Sequence, residues 1–169
     1  MIPQSVLKAA AYFAGTKTHR PDLSVVRVRS EGGSATLITE ATNGHIAIQI
    51  TSNDSEYELD DFSLIVPMAE IKKYLKTEEE IEFLDDDGSF PDIDEAVEKA
   101  RAQNELHPAM LDLKYFNAAN MALRSLFTNA EVDICASENI NLPITLSTNG
   151  TSRDDDEVVV DIFIMGMRK

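Results

Sequence analysis

Two runs of strand-like residues lie within residues 34–51, on either side of a short turn sequence. After the turn, Ile46, Ile48 and Ile50 alternate with small or polar residues, which is the two-residue period of a half-buried β-strand. The run before the turn, residues 34–40, reads as a second strand. Asn43-Gly44 lies between the two runs, and both residues tolerate the positive φ angles of a type I′ turn. The pattern therefore predicts a β-hairpin closed by that turn, with His45 at its exit.

The rest of the chain reads as an alternation of helices and short strands. Apolar residues at helical spacing predict helices at 3–14, 68–76, 93–103 and 116–127, although the high charge density of 93–103 also suits a partly ordered crossover. Short apolar runs between turn residues predict strands at 25–29, 62–66, 81–84, 110–113, 131–136, 142–147 and 158–165. The final third repeats the opening order, a helix followed by three strands. We therefore predict an α+β fold of two similar halves, about 1–88 and 89–169.

Length and composition suggest a single soluble domain spanning residues 1–169. A chain of 169 residues with 43% hydrophobic residues is long enough to bury a core without disulfides or metals. No apolar run approaches the roughly 20 residues of a membrane span. Cys135 is the single cysteine, which fits a reducing compartment. We expect an intracellular, cytoplasmic protein that does not bind membranes.

The charge balance constrains any contact with nucleic acid. A net charge of −15 argues against a protein that coats DNA with its whole surface, because phosphate neutralisation needs lysine and arginine. A basic face remains compatible with this balance. The densest positive patch is formed by Lys72, Lys73 and Lys76 in the predicted helix 68–76. Acidic runs such as 85–87 and 154–157 are expected to be solvated loops.

A search for catalytic or metal-binding motifs returns nothing that supports either function. The chain has no glycine-rich phosphate loop, no His-x-x-x-His pair and no cysteine cluster. The acidic turn before Gly88 resembles a calcium loop, but that alignment puts Phe83 where the first carboxylate ligand belongs. Cys135 alternates with Ile134 in a predicted strand and is expected to be a core thiol. We therefore predict no catalytic residues, no metal and no cofactor.

Five fragments resemble one family, the bacterial replicative sliding clamp, which is the beta processivity subunit of DNA polymerase III. Ala41-Thr42-Asn43-Gly44-His45 is similar to the Ala-Thr-Asp-Gly-His motif of its middle domain. The run from Phe62 to Pro67, followed by a helix, looks like the next strand and helix of that domain. Phe90-Pro91-Asp92 resembles the junction between the middle and last domains. Phe116-Asn117 and the tail from Ile164 to Lys169 are similar to the second half of the last domain.

The chain departs from this family in residues and in length. Asn43 replaces the usual aspartate, Ile46 the usual arginine, Gly166 the usual proline and Lys169 the usual leucine. The chain is also far shorter than a three-domain clamp. It resembles the front of the middle domain joined to the back of the last one. Because each clamp domain is a pseudo-duplicated pair of halves, that join would rebuild a single domain.

The resemblance implies two binding surfaces. In the family, a pocket binds short hydrophobic motifs of polymerases and clamp loaders, and helices face duplex DNA inside a ring. Carried over to this chain, the pocket comprises Thr42, Gly44, His45, Pro91, Asn117, Phe163, Ile164, Met165, Met167 and Arg168. The DNA-facing residues are Lys8, Lys72, Lys73, Lys76 and Arg124. The expected protein is a non-enzymatic processivity factor that forms a homo-oligomer around DNA.

Each assignment has an alternative reading. Ile164 and Met165 would serve equally well as strand core, Arg168-Lys169 as a frayed end, and the lysines as residues that keep helices soluble. A clamp-like peptide-binding adaptor or decoy would keep the pocket without encircling DNA. An unrelated acidic α+β domain would match the fragments by chance.

Overall fold

The computed structural model describes residues 2–15, 19–30, 35–53, 60–77, 80–94, 113–128, 131–135, 144–154 and 156–164. Within these ranges, eight strands form one sheet and three α-helices pack on it. The strands are β1 (Val25–Ser30), β2 (Thr36–Thr42), β3 (Ile46–Asn53), β4 (Phe62–Pro67), β5 (Leu84–Asp85), β6 (Asp133–Cys135), β7 (Ile144–Thr151) and β8 (Glu157–Ile164). The helices are α1 (Gln4–Ala11), α2 (Met68–Thr77) and α3 (Leu113–Leu126).

The strand order divides the sheet into two similar halves. The order is β5-β4-β1-β2-β3-β8-β7-β6, and every neighbouring pair is antiparallel. Helix α1 precedes β1, β2 and β3, and α3 precedes β6, β7 and β8. The last strands of the two trios pair at the centre, where Ile48 lies opposite Ile162 and Ile50 opposite Val160. The predicted repeat of one helix and three antiparallel strands is therefore confirmed.

One face of the sheet carries the main core and the helices. Ile46, Ile48 and Ile50 are at most 1% exposed, and they join alternate residues of β8 and the buried sides of α1, α2 and α3 in one cluster. Each fully buried isoleucine contributes roughly 2 kcal/mol to stability. Helix α1 packs on α3, and four alanines of these two helices are buried among the core side chains: Ala9, Ala10, Ala119 and Ala122. Small side chains let two helices approach closely.

The loop between β7 and β8 binds opposite ends of α1 and α3. Arg153 donates its backbone N–H to the carbonyl of Leu126 at 2.7 Å, at the C-terminus of α3. Asp154 accepts the backbone N–H of Ser5 at 3.0 Å, in the first turn of α1, where Pro3 provides no side-chain cap. A cation near a helix C-terminus and a carboxylate at an N-terminus both complement the helix dipole. The loop thus holds α1 and α3 antiparallel.

The opposite face of the sheet, called the outer face below, carries a buried ion cluster. Glu40 is fully buried; its Oε2 accepts hydrogen bonds from Arg27 at 2.8 Å and Arg29 at 3.1 Å, and its Oε1 accepts one from Gln49 at 2.9 Å. Arg29 and Gln49 also donate to Asp94, at 2.7 and 3.2 Å. The cluster therefore connects β1, β2 and β3 to the segment that follows β5.

The acidic turn at 85–89 is organised by internal hydrogen bonds. Asp86 accepts the hydroxyl of Ser63 at 2.8 Å and the backbone N–H of Gly88 at 3.0 Å. Hydrogen bonds from the hydroxyl and the backbone N–H of Ser89 lower the pKa of the Asp87 carboxyl. Gly88 has a φ of +77°, which explains a glycine at this turn. Among the described residues, no group of three or more His, Cys, Asp or Glu residues is placed to hold a metal ion.

Most predicted helices and strands are present, with shifted ends. The predicted strand 81–84 is wrong in its bounds: β5 contains only Leu84 and Asp85, and Phe83 and Leu84 are 38% and 43% exposed, since this short edge strand is not covered by a core. Leu113, predicted to end a strand, begins α3. Residues 95–112 and 165–169 lie outside the described residues, with the predicted elements they contain. Cys135 of β6 is opposite Thr145 of β7, and its predicted role as a core thiol stays a prediction.

No helix of the described part is long and apolar enough to cross a membrane.

We predict that Glu40→Gln lowers the free energy of unfolding by about 3 kcal/mol, because removing one partner of a buried ion cluster leaves the other charges uncompensated. Urea denaturation measures the change. The matched control is Glu82→Gln, at an exposed position in the loop before β5, which should change stability by less than about 0.5 kcal/mol. Equal urea midpoints for the two variants would show that the cluster does not stabilise the fold.

Candidate functional site

The loop between β2 and β3 is held by the side chains of Thr42 and Asn43. Thr42 Oγ1 donates to the carbonyl of Ile46 at 2.9 Å and accepts the N–H of Gly44 at 3.0 Å. Asn43 Oδ1 accepts the N–H groups of His45 at 3.0 Å and Ile46 at 3.2 Å. The predicted hairpin is confirmed, but the type I′ turn is wrong. Residues 43–45 connect the two strands, and the register pair next to the loop is Thr42 with Ala47. The Asn43 side chain bonds the backbone two and three residues on, as asparagine often does in turns.

Gly44 adopts a left-handed backbone conformation in this loop. Its φ is +86°, a conformation that L side chains rarely adopt. A Cβ built on Gly44 would lie 3.6 Å from Leu23 Cδ1, which is an ordinary contact. The glycine is thus needed for its backbone conformation, and the loop lies against the 3-10 turn Pro21–Leu23.

The first turn of α3 lies beside the loop. The ring of Tyr115 stacks on His45 with centroids 6.2 Å apart and planes inclined by 28°. The ammonium group of Lys114 lies 4.6 Å from the centre of the same Tyr115 ring, a cation–π distance. Asn117 is exposed on α3, two residues after Tyr115. The structure therefore brings His45 close to the start of the helix that bears Asn117.

A second apolar cluster lies on the outer face at the same end of the sheet. It contains Ala47, Phe90, Ile93 and Phe163, each at most 8% exposed. Pro91, between two members of this cluster, is partly exposed. Thr42 lies opposite Ala47, and Ala47 opposite Phe163; directly paired residues of antiparallel strands point to the same face. Thr42, Phe163 and the segment carrying Pro91 therefore share one patch.

The sequence-derived pocket residues that the structure describes thus lie at one end of the sheet, but on both of its faces. His45 and Asn117 lie on the side of the helices, and Thr42 and Pro91 on the outer side, with Gly44 in the loop between them. Phe163 is 2% and Ile164 0% exposed, so these two side chains belong to the cores. Their role as ligand contacts stays a prediction. Met165, Met167 and Arg168 lie outside the described residues.

A separate surface is the helix layer, meaning the exposed sides of α1, α2 and α3. These helices carry six basic residues and one acidic residue, in a chain with a net charge of −15. All six basic side chains are exposed: Lys8, Lys72, Lys73, Lys76, Lys114 and Arg124. Five of these were predicted from sequence. Lys114 was missed because the helix was expected to begin at Phe116, whereas α3 begins three residues earlier.

An antiparallel sheet with duplicated halves and helices packed on one face is the α+β architecture of DNA clamps, and comparison with solved structures confirms this fold. No protein-family model and no curated protein sequence matches the chain. The structure is similar to bacterial clamps from Helicobacter pylori (TM-score 0.68, 13% identity), Bacillus subtilis (0.66, 14%) and Pseudomonas aeruginosa (0.61, 17%). The matches cover 98–99% of this chain and 62–64% of those chains. The chain thus spans less than two thirds of the length of the clamps it resembles.

Asn43 provides a test of what holds the loop. Asn43→Ala should lower the free energy of unfolding by about 1 kcal/mol, because two backbone N–H groups lose their acceptor. Asn43→Asp places a carboxylate oxygen where the amide oxygen was and should stay within about 0.5 kcal/mol of wild type. Urea denaturation compares the three proteins. If Asn43→Asp is destabilised as much as Asn43→Ala, hydrogen-bond acceptance by this side chain is not what stabilises the loop.

Proposed function

We propose that this protein is a non-enzymatic, clamp-like processivity factor for a DNA polymerase. It oligomerises around duplex DNA and binds short hydrophobic motifs of polymerases or clamp loaders, as a cytoplasmic protein without a cofactor. Residues 1–169 form a single clamp-like domain with halves of about 1–88 and 89–169. The observation that carries the proposal is a net positive helix layer on an otherwise strongly acidic chain with a clamp fold.

The helix layer is the proposed DNA-facing surface. Lysine and arginine side chains on helices neutralise phosphates without reading the sequence. Lys72, Lys73 and Lys76 are exposed on α2, while Lys8 and Arg124 extend the basic surface to α1 and α3. The acidic residues elsewhere repel DNA and restrict its approach to this layer. Such an arrangement favours a loose, sequence-independent association that permits sliding.

Assembly is required for a ring. A sheet of eight strands at about 4.8 Å spacing is only about 38 Å wide, too narrow to surround a duplex. Among the strands that the structure describes, β5 and β6 lie at the two edges of the sheet. Unpaired strand edges are templates for pairing with another chain, and a head-to-tail contact between β5 of one copy and β6 of the next generates a ring when the rotation closes.

Both edges carry negative charge, which bears on this assembly. Glu82, Asp85 and Asp87 are exposed on or beside β5, and Glu131 and Asp133 on or beside β6. Like charges across a contact are repulsive, and salt screens that repulsion. The same observation favours a second candidate function, a clamp-like peptide-binding adaptor or decoy that does not encircle DNA.

The peptide-binding part of the proposal rests on the end of the sheet where Thr42, His45, Pro91 and Asn117 gather. Two of the similar clamps were solved with bound compounds, the Helicobacter pylori clamp with 3,4-difluorobenzamide and the Pseudomonas aeruginosa clamp with griselimycin. These complexes support the idea that clamps of this fold bind small ligands. The proposed ligand of this chain is a short hydrophobic segment of a polymerase or clamp loader.

DNA binding by the helix layer predicts a position-specific effect of charge. Lys72→Glu should weaken binding to duplex DNA by about tenfold and reduce stimulation of a polymerase on primed template, with a shallower dependence on salt. Fluorescence anisotropy and a primer-extension assay measure the two effects. Arg20→Glu makes the same charge change at an exposed site outside the helices and should alter both by less than about twofold. Equal losses in the two variants would count against a localised DNA surface.

The acidic edges predict opposite salt dependences for assembly and DNA binding. Raising NaCl from about 0.05 to about 0.5 M should increase self-association, because repulsion between β5 and β6 is screened, while DNA binding weakens. Sedimentation equilibrium over a range of protein concentrations measures the oligomer. A strict monomer at both salt concentrations would rule out the ring and leave the adaptor.

A further inference from the structure

The segment 89–94, called the strap below, crosses the outer face beside the proposed peptide site. Phe90 and Ile93 are each 5% exposed and pack with Ala47 of β3 and Phe163 of β8. Pro91, which lies between them in the chain, is partly exposed. The position of Pro91 relative to the β2–β3 loop therefore depends on what fixes the strap.

Two arginines of β1 contact the strap from one side. The guanidinium of Arg27 lies 4.5 Å from the centre of the Phe90 ring, and Arg29 donates to Asp94 at 2.7 Å. Both arginines are oriented by Glu40, which is fully buried. Hydrogen bonds to the buried Glu40 carboxylate fix the side chains of the two arginines. The arginines are therefore preorganised for their contacts with the strap.

Asp94 differs from the rest of this cluster in its exposure. Its side chain is 49% exposed, whereas those of Arg29 and Glu40 are 14% and 0% exposed. Half-exposed ion pairs stabilise folds weakly and are screened by salt. Loss of the Asp94 charge should therefore leave the core and the Glu40 contacts intact and release only this end of the strap.

We propose that Arg29 and Asp94 are a positioning pair that holds the strap, and with it Pro91, in the geometry that the peptide site needs. The inference rests on the proposed function, since it names the residues that set the affinity of that same site. Neither residue is assigned to the site itself. Because the pair already holds Pro91 in place, less conformational entropy is lost when a ligand binds.

The test measures binding of an uncharged, fluorescently labelled peptide that carries a polymerase's hydrophobic clamp-binding motif. Asp94→Asn should raise its dissociation constant about tenfold, and Asp94→Glu, which keeps the charge, should restore affinity to within about threefold of wild type. The matched control is Asp92→Asn. This substitution removes an exposed charge two residues away but retains a side-chain oxygen, now of an amide, that can accept the N–H of Asp94, a contact of 3.0 Å in wild type. It should change affinity by less than about twofold.

Salt provides a readout that a purely structural role would not move. Because the peptide is uncharged, raising NaCl should weaken its binding to wild type through the Arg29–Asp94 pair, and should leave binding to Asp94→Asn unchanged. Urea midpoints of all variants should match that of wild type. If Asp94→Asn proves less stable than wild type, the salt dependence of peptide binding to the wild-type protein still tests the inference.

The outcomes separate the inference from the function on which it rests. If wild type does not bind the peptide, the proposed peptide site is wrong and the inference falls with it. If wild type binds, and Asp94→Asn binds equally well with the same salt dependence, the positioning role is wrong while the peptide site stands. A tenfold loss with Asp94→Asn but not with Asp92→Asn supports both.

Discussion

The buried carboxylate of Glu40 is the constraint on which the outer face depends. A charge removed from water destabilises a fold unless it is paired and fully hydrogen-bonded, and Glu40 meets this requirement with Arg27, Arg29 and Gln49. Each of these partners also contacts the segment after β5: Arg27 stacks on Phe90, and the other two bind Asp94. One ionised group in β2 thereby couples the first three strands to a segment about fifty residues further along the chain.

The two faces of the sheet use charge in opposite ways. On the outer face, acidic and basic side chains neutralise one another in a partly buried cluster. On the other face, the helices pack on the sheet mainly through apolar side chains, so their basic residues are not needed for packing and remain exposed to solvent. This separation explains how a chain with a net charge of −15 presents a positive surface.

Local patterns were enough to predict most helices and strands. They did not predict the contacts between residues that are distant in the sequence. The alternation of Ile46, Ile48 and Ile50 identified β3, because burial of one strand face imposes that period. Nothing in the sequence around Ser5 indicates that its N–H is bound by Asp154, 149 residues away. Likewise, Arg27, Arg29 and Glu40 have the pattern of exposed strand residues until the pairing of β1 with β2 brings them together. The candidate site was predicted from the resemblance to the clamp family. Lys114 could be assigned to the helix layer only from the structure, which shows that α3 begins at Leu113.

Ile46 shows how a departure from the clamp motif changes the site. The resemblance assigns an arginine to this position, yet Ile46 is 1% exposed and pairs with Ile164 in the core. An arginine there would bury a charge beside apolar side chains, which is strongly unfavourable without a partner. At this end of the sheet, Lys114 of α3 brings a cation to the Tyr115 ring that stacks on His45. The position after the histidine therefore contributes to the core in this chain, and positive charge beside the proposed peptide site comes from a helix.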